Sequence, residues 1–325
     1  MNYKWIISLL SLSLLSAQAK EVYDIVIMSG QSNMRGKGQW AERKDAGHAI
    51  ENAKNYLYAS VGPNTPSIKN GFDKPAGKAQ SIPGFYTISS RGTSEKGGYG
   101  PEYAFAKNYY DHKAGSGNLA IIKGAVGGTT IEKWLPKATR KNGEAYGFYD
   151  ALLNEVKDLI TNLEAAGHSY NVLGFVWLQG ESNRNHKRES DYYSELNVLM
   201  SNLQTDLSAF SNQFDQMNTY LIQPSFWYKK DENGNKVLSP RSTVTEVDDA
   251  MIKYAKQKTN ATFIKTSDIG VEHYSDGVHF NAHAQEIIGT RLYKVVFAPK
   301  PKSEGVSQPI NKGKPNKENN FRREK

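Results

Sequence analysis

The chain has 325 residues, 41 Lys/Arg against 33 Asp/Glu for a formal charge of +8, and no cysteine. A body of this size can bury a large core, while the lack of cysteine excludes disulfides, a thiol nucleophile and Cys-ligated zinc. The positive charge is not spread as a nucleic-acid surface requires: residues 298–325 carry eight Lys/Arg and three Glu, leaving about +2 on the body.

In chain order, Met1–Ala19 holds an early charge, Lys4, then an apolar run Ile6–Leu15, then Ala17-Gln18-Ala19. This is the pattern of a cleavable secretory signal peptide, and the run is too short to cross a bilayer as a helix. Tyr23–Met28 follows as a buried strand rich in β-branched residues, Ser29-Gly30 as its closing turn, and Ser32 as a hydroxyl just past the strand tip. Residues 36–100 are dense in Gly, Pro, Asn and Ser, and predict a long loop that walls the site.

Pro101 opens a helix to about Tyr110, and Leu119–Lys123 is the second strand. The glycine-rich stretch Gly124–Trp134 comes next. Its pair Gly127-Gly128 lets backbone N–H groups approach an anionic oxygen. A phosphate cradle is the rival reading, although no Gly-Lys-Ser/Thr follows.

Phe148–Ala166 has one apolar face and ends at Gly167, as a helix does. Strand Asn171–Leu178 ends in Gln179-Gly180-Glu181. A helix over about 190–210, a strand at Asn218–Gln223, a second long loop at Pro224–Pro240, a helix over 243–258, a short strand at Thr262–Thr266 and a closing helix over 281–297 complete the body. Strands alternating with helices predict a parallel sheet covered on both faces. No repeat or linker divides residues 20–298, so they form one expected domain. Residues 299–325, rich in Lys, Pro, Gly and Asn, form an expected disordered basic tail.

A serine hydroxyl needs a base, and that base needs a carboxylate to orient it. Asp276 and His279, three positions apart in Asp-Gly-Val-His, fit that pair for Ser32. His273, His279 and His283 with Asp276 could instead suggest a metal cluster, but no Glu stands between His279 and His283 as a His-Glu-x-x-His site needs; no metal is assigned.

Gly-Gln-Ser-Asn-Met (30–34), Trp-Leu-Gln-Gly-Glu-Ser-Asn (177–183) and Asp-Gly-Val-His-Phe (276–280), in that order, resemble the blocks of the SGNH-type carbohydrate esterases. The likeness is to the sialate O-acetylesterase and acetylxylan esterase group (carbohydrate esterase family 6-like), and it runs from about Val22 to about Phe297. It implies a three-layer α/β/α, flavodoxin-like fold with a mainly parallel five-stranded sheet. It also implies a serine esterase that removes O-acetyl groups from a carbohydrate, an acetylated polysaccharide or sialic acid, without a cofactor; with the Met1–Ala19 pattern and no later long apolar segment, the protein is expected to be periplasmic or secreted, without stable membrane insertion.

By this resemblance Ser32 is the nucleophile, His279 the base and Asp276 its helper. The oxyanion donors would be the N–H of Ser32, that of Gly127 or Gly128, and the side-chain amide of Gln179, where the broader superfamily carries Asn. Glu181 is either a second helper acid or a brace for the serine turn. Gln31, Asn33, Trp134 and Trp227 are candidate substrate contacts, joined at the rim by Tyr146, Phe148 and Tyr228. Arg35, Lys123, Arg184 and Arg188 are candidate partners for an acidic sugar. Of the two alternatives, a non-catalytic glycan-binding protein on the same fold would keep the aromatic rim but has no reason to hold Ser32, Asp276 and His279 together, and a metal-dependent hydrolase would lose activity to chelators while tolerating Ser32→Ala.

Overall fold

The computed structural model describes residues 20–36, 38–39, 55–58, 81, 85–88, 98–113, 117–186, 189–242 and 246–298. The expected signal peptide, the basic tail, Arg188 and much of the 36–100 stretch lie outside the described residues.

Among the described residues eleven strands occur in chain order: β1 (Val22–Gly30), β2 (Gly38–Gln39), β3 (Asn55–Tyr58), β4 (Phe85–Thr87), β5 (Gly98–Tyr99), β6 (Asn118–Ala125), β7 (Ser169–Leu178), β8 (Thr219–Ile222), β9 (Tyr228–Lys230), β10 (Lys236–Leu238) and β11 (Ala261–Ile264). Seven of them form the main sheet in the order β11-β8-β7-β1-β6-β3-β4. Every neighbouring pair is parallel except β3 with β4 at the edge. The five expected strands, β1, β6, β7, β8 and β11, are a contiguous parallel run from the β11 edge of this sheet to β6. The two additions, β3 and β4, come from the stretch read as a loop; they extend one side of the sheet, with β3 pairing to β6 along Asn55–Tyr58.

Period-2 alternation divides each central strand between two cores. Tyr23, Ile25 and Ile27 of β1, Ala120 and Ile122 of β6, and Phe175 and Trp177 of β7 pack under the helices Phe148–Ala165, Glu189–Ser208 and Glu246–Gln257. Val26, Met28, Leu119, Ile121, Val176 and Leu178 face the other way, against Pro101–His112 and Ala282–Val296. Because both faces are covered, these strands read as nearly continuous apolar runs.

The chain steps from β1 to β6 on one side and then crosses back to β7 on the other. In an open parallel sheet such a reversal opens a crevice at the carboxyl ends of the strands, where ligands bind. The polar turns after β1, β6, β7 and β8 all lie at that end. Gly30 sits at φ 149°, and a Cβ there would lie 2.0 Å from the Leu178 carbonyl oxygen. We expect Gly30→Ala to lower stability by at least about 2 kcal/mol, from backbone strain plus overpacking, read as a lower midpoint in thermal or urea unfolding.

Candidate active site

The strand-end glycine puts Ser32 where the sequence predicts it. Past Gly30 the chain enters the four-residue helix Ser32–Arg35, closed by the Gly36 N–H donating to the Ser32 carbonyl at 2.9 Å. An N–H in the first turn of a helix has no intrahelical acceptor, so that of Ser32 is free to meet an external oxygen.

Ser32 Oγ is 2.9 Å from His279 Nε2, and His279 Nδ1 is 2.7 Å from Asp276 Oδ2. Burial alone would raise the Asp276 carboxyl, but hydrogen bonds from the His279 ring and from the Val278 and His279 N–H groups outweigh it and hold the pKa below its ordinary value. An ionised Asp276 only accepts, so Nδ1 carries the proton and Nε2 is left as an acceptor for the Ser32 hydroxyl. The two side chains share a tight loop. The Ser275 N–H donates to the His279 carbonyl at 2.8 Å, and the Asn281 N–H to the His273 carbonyl at 2.9 Å.

Asn33 ties the serine turn to this loop from within the protein. Its Nδ2 donates to Glu181 Oε1 at 2.6 Å and to Ser225 Oγ at 2.9 Å, while its Oδ1 accepts the Phe280 N–H at 3.0 Å. Gln285 Nε2 donates to the Asn33 carbonyl at 3.0 Å. Glu181 is fully buried, and the hydrogen bonds its carboxylate accepts come from Asn33 and Ser225. Of the two readings of Glu181, these bonds match the brace; Asp276 is the carboxylate bonded to the histidine.

The Gly127-Gly128 turn stands beside the serine, with a Cβ on Gly127 falling 3.6 Å from that of Ser32. Both glycines are exposed. The turn is anchored where Val126 N–H donates to the Gly30 carbonyl at 3.0 Å and Thr129 Oγ1 to the Val126 carbonyl at 2.8 Å. Gln179 was expected to donate to the oxyanion itself. Instead it is fully buried, and its Nε2 donates to the Thr129 carbonyl at 2.9 Å and to Asn183 Oδ1 at 2.8 Å. It therefore holds the glycine turn from beneath. Tyr192 supports it in turn, donating from its hydroxyl to the Gln179 carbonyl at 2.8 Å.

Several expected substrate contacts lie elsewhere. Trp134 is fully buried, edge-on to Trp177 with ring centroids 5.5 Å apart, and its Nε1 donates to Thr129 Oγ1 at 3.0 Å. Phe148 is buried beside it. Gln31 is buried too, its Oε1 accepting the Ser182 N–H and Gln179 Nε2, each at 3.2 Å. Asn33 is interior as described. Trp227, Tyr228 and Tyr146 remain partly exposed.

Of the cations, Lys123 is buried against Glu102 at 2.6 Å, and Arg184 is buried against Asp248 with its guanidinium over the Phe226 ring. Neither faces outward toward a sugar. The His273 and His283 rings lie tilted at 43° with centroids 4.4 Å apart, and among the described residues no three His, Asp or Glu side chains form a metal-binding group.

Ser225, Asn183 and Gln285 were not singled out by sequence. Asn183 had a signal, since Gly-Glu-Ser-Asn at the end of β7 echoes Gly-Gln-Ser-Asn at the end of β1. Ser225 follows β8 at the carboxyl end of the sheet, a position that topology alone makes a candidate.

Residues 22–298 match the family model for carbohydrate esterases described as sialic acid-specific acetylesterase. No match is found among curated proteins. Among solved structures, a protein of Arabidopsis thaliana superposes with a TM-score of 0.55 at 16% identity, over 84% of this chain and 97% of that one. NanS gives 0.54 at 12% identity, over 86% and 98%. A carbohydrate acetylesterase from Xanthomonas citri gives 0.51 at 16% identity over 83% of this chain, which spans 54% of that longer protein. At these identities the superpositions speak for the fold.

A carboxylate held below its ordinary pKa contributes stability that is present above the ordinary value and lost as pH falls through the folded one. For Asp276 that ordinary value is 3.8. The difference in melting temperature between wild type and Asp276→Asn should therefore be largest near neutrality and shrink as the pH of the scan is lowered below 3.8.

Proposed function

Because the chain belongs to the sialic acid-specific acetylesterase family of carbohydrate esterases, we propose that it is a secreted serine esterase removing O-acetyl groups from a carbohydrate through Ser32, His279 and Asp276. The family makes it a carbohydrate esterase; the relay, the secretion and the choice of sugar are the proposal. What supports the relay is one observation, the continuous line from Ser32 Oγ to His279 Nε2 at 2.9 Å and from Nδ1 to Asp276 Oδ2 at 2.7 Å.

In this mechanism Ser32 Oγ attacks the acetyl carbonyl while His279 Nε2 takes its proton. The carbonyl oxygen becomes anionic between the N–H groups of Ser32 and Gly127, donors that are fixed before the reaction begins. The tetrahedral adduct collapses, the C–O bond to the sugar breaks, and Nε2 returns the proton to the departing hydroxyl. Water, deprotonated by His279, then releases acetate from the acyl-serine by the same route. Asp276 keeps the ring in the tautomer that both halves need. Trp227 and Tyr228, partly exposed beside the His279 loop, offer faces and edges that suit a pyranose.

Secretion rests on the Met1–Ala19 pattern. Among the described residues no helix is long and apolar enough to cross a membrane.

The test is acetate release from an aryl acetate, from acetylated xylan and from O-acetylated sialic acid. Ser32→Ala should lower kcat by about 10³-fold or more, as loss of a triad nucleophile does, with folding intact by circular dichroism. Equal activity of the two proteins would sink the mechanism, and the ranking of the two sugars selects the substrate.

A further inference from the structure

We propose that Ser225 is a positioning residue that holds His279 in reach of Ser32, a role that rests on the serine-esterase reading above. Ser225 is fully buried, so it touches no substrate. Its Oγ donates to the Val278 carbonyl at 2.5 Å and accepts from Asn33 Nδ2 at 2.9 Å.

The direction of that hydroxyl is determined. Glu181 Oε1, the other acceptor in range at 3.3 Å, already receives Asn33 Nδ2 at 2.6 Å and the Ser225 N–H at 3.2 Å. The single hydroxyl proton therefore goes to the nearer oxygen, that of Val278.

Val278 is the residue before His279, and the residue after it is held as well, by the Phe280 N–H donating to Asn33 Oδ1 at 3.0 Å. One residue further back, the Tyr228 N–H donates to the Gly277 carbonyl at 2.7 Å. The backbone on both sides of His279 is thus fastened to the Ser225–Tyr228 segment and to Asn33, the neighbour of the nucleophile. Since Asp276 and the loop's own bonds move with the loop, they fix the ring within it but do not place it over Ser32. That placement falls to Asn33 and the Ser225–Tyr228 segment, together with the buried Tyr274 and Phe280 rings at the ends of the loop.

Without the Ser225 hydroxyl, the Val278 carbonyl keeps a 3.3 Å contact from Asn33 Nδ2 and loses its short one. The expected result is drift of His279 Nε2 away from the serine. A misplacement of about 1 Å in a catalytic group costs on the order of 10²-fold in rate.

The experiment compares full-length wild type, Ser225→Ala, Ser225→Thr and Ser32→Ala on an aryl acetate, with thermal melts and the His279 ring C–H signals in histidine-labelled protein. Ser225→Ala should lower kcat about ten- to hundredfold with KM within about twofold, remain folded, and shift the His279 signals. Ser225→Thr, which keeps the hydroxyl, should restore most of the rate and the wild-type shifts.

Wild-type kcat and unshifted His279 signals in a folded Ser225→Ala protein overturn the assignment. So does a fall in kcat that tracks the unfolded fraction and is not recovered in Ser225→Thr. The ring signals report on placement even where turnover is slow. Activity that survives Ser32→Ala overturns the esterase mechanism itself, a failure distinct from that of Ser225.

Discussion

The site depends on a reciprocal lock between two strand ends. β1 and β7 lie side by side; β1 finishes in Gly30 at φ 149°, and Gly180, two residues past the end of β7, stands at 146°. After each glycine comes a long polar side chain that reaches across to the other turn. Gln31 accepts the Ser182 N–H, and Glu181 accepts from Asn33. Neither glycine can carry a side chain: a Cβ would strike Leu178 at the first and Val247 and Pro224 at the second. The sequence echo Gly-Gln-Ser-Asn and Gly-Glu-Ser-Asn is the linear trace of this arrangement.

From that lock the remaining parts are placed by buried hydrogen bonds as well as by apolar packing, since Tyr274 and Phe280 beside the His279 loop are buried in the core. Gln179 carries the lock outward to the Gly127 turn through the Thr129 carbonyl, and Trp134 supports Thr129 from the core. Asn33 and Ser225 carry it to the His279 loop. Ser32, the Gly127 turn and His279 are thus referred to one hydrogen-bonded frame. Burial of this polar set strengthens each bond, and it also makes every missing partner costly. Rigidity here follows from that cost, since no single member can move without leaving another unpaired.

The parts legible in the sequence are those with a local cause. The five expected strands show as apolar runs because helices cover both sheet faces. Ser32 and the Asp276–His279 pair show because a glycine turn and a three-residue spacing are local patterns. β3 and β4 were missed because strands of four and three residues among Gly, Pro and Ser have no room for periodicity. Trp134 was misjudged because a tryptophan after a glycine-rich loop is consistent with either a rim or a prop, and only tertiary packing decides. Gln179 is an oxyanion donor by the family resemblance, but its Nε2 is turned inward to Thr129, Asn183 and Gln31, which only the tertiary fold reveals. Ser225 carries no local signal, and its meaning comes from a loop more than fifty residues later in the chain.

On the proposed mechanism the two carboxylates near His279 have different tasks, and their burial explains the division. The Asp276 side chain is 56% exposed, so water screens its charge and its main effect on His279 is directional. It contacts Nδ1 and fixes the tautomer, which a short hydrogen bond does even in a high dielectric. Glu181 is fully buried and bonded to no atom of the histidine, so it acts through what it binds. By occupying Asn33 Nδ2 and the Ser225 N–H it leaves the Asn33 side-chain Oδ1 for the Phe280 N–H and directs the Ser225 hydroxyl to Val278. An exposed acid orients the ring, and a buried one places the loop that carries it.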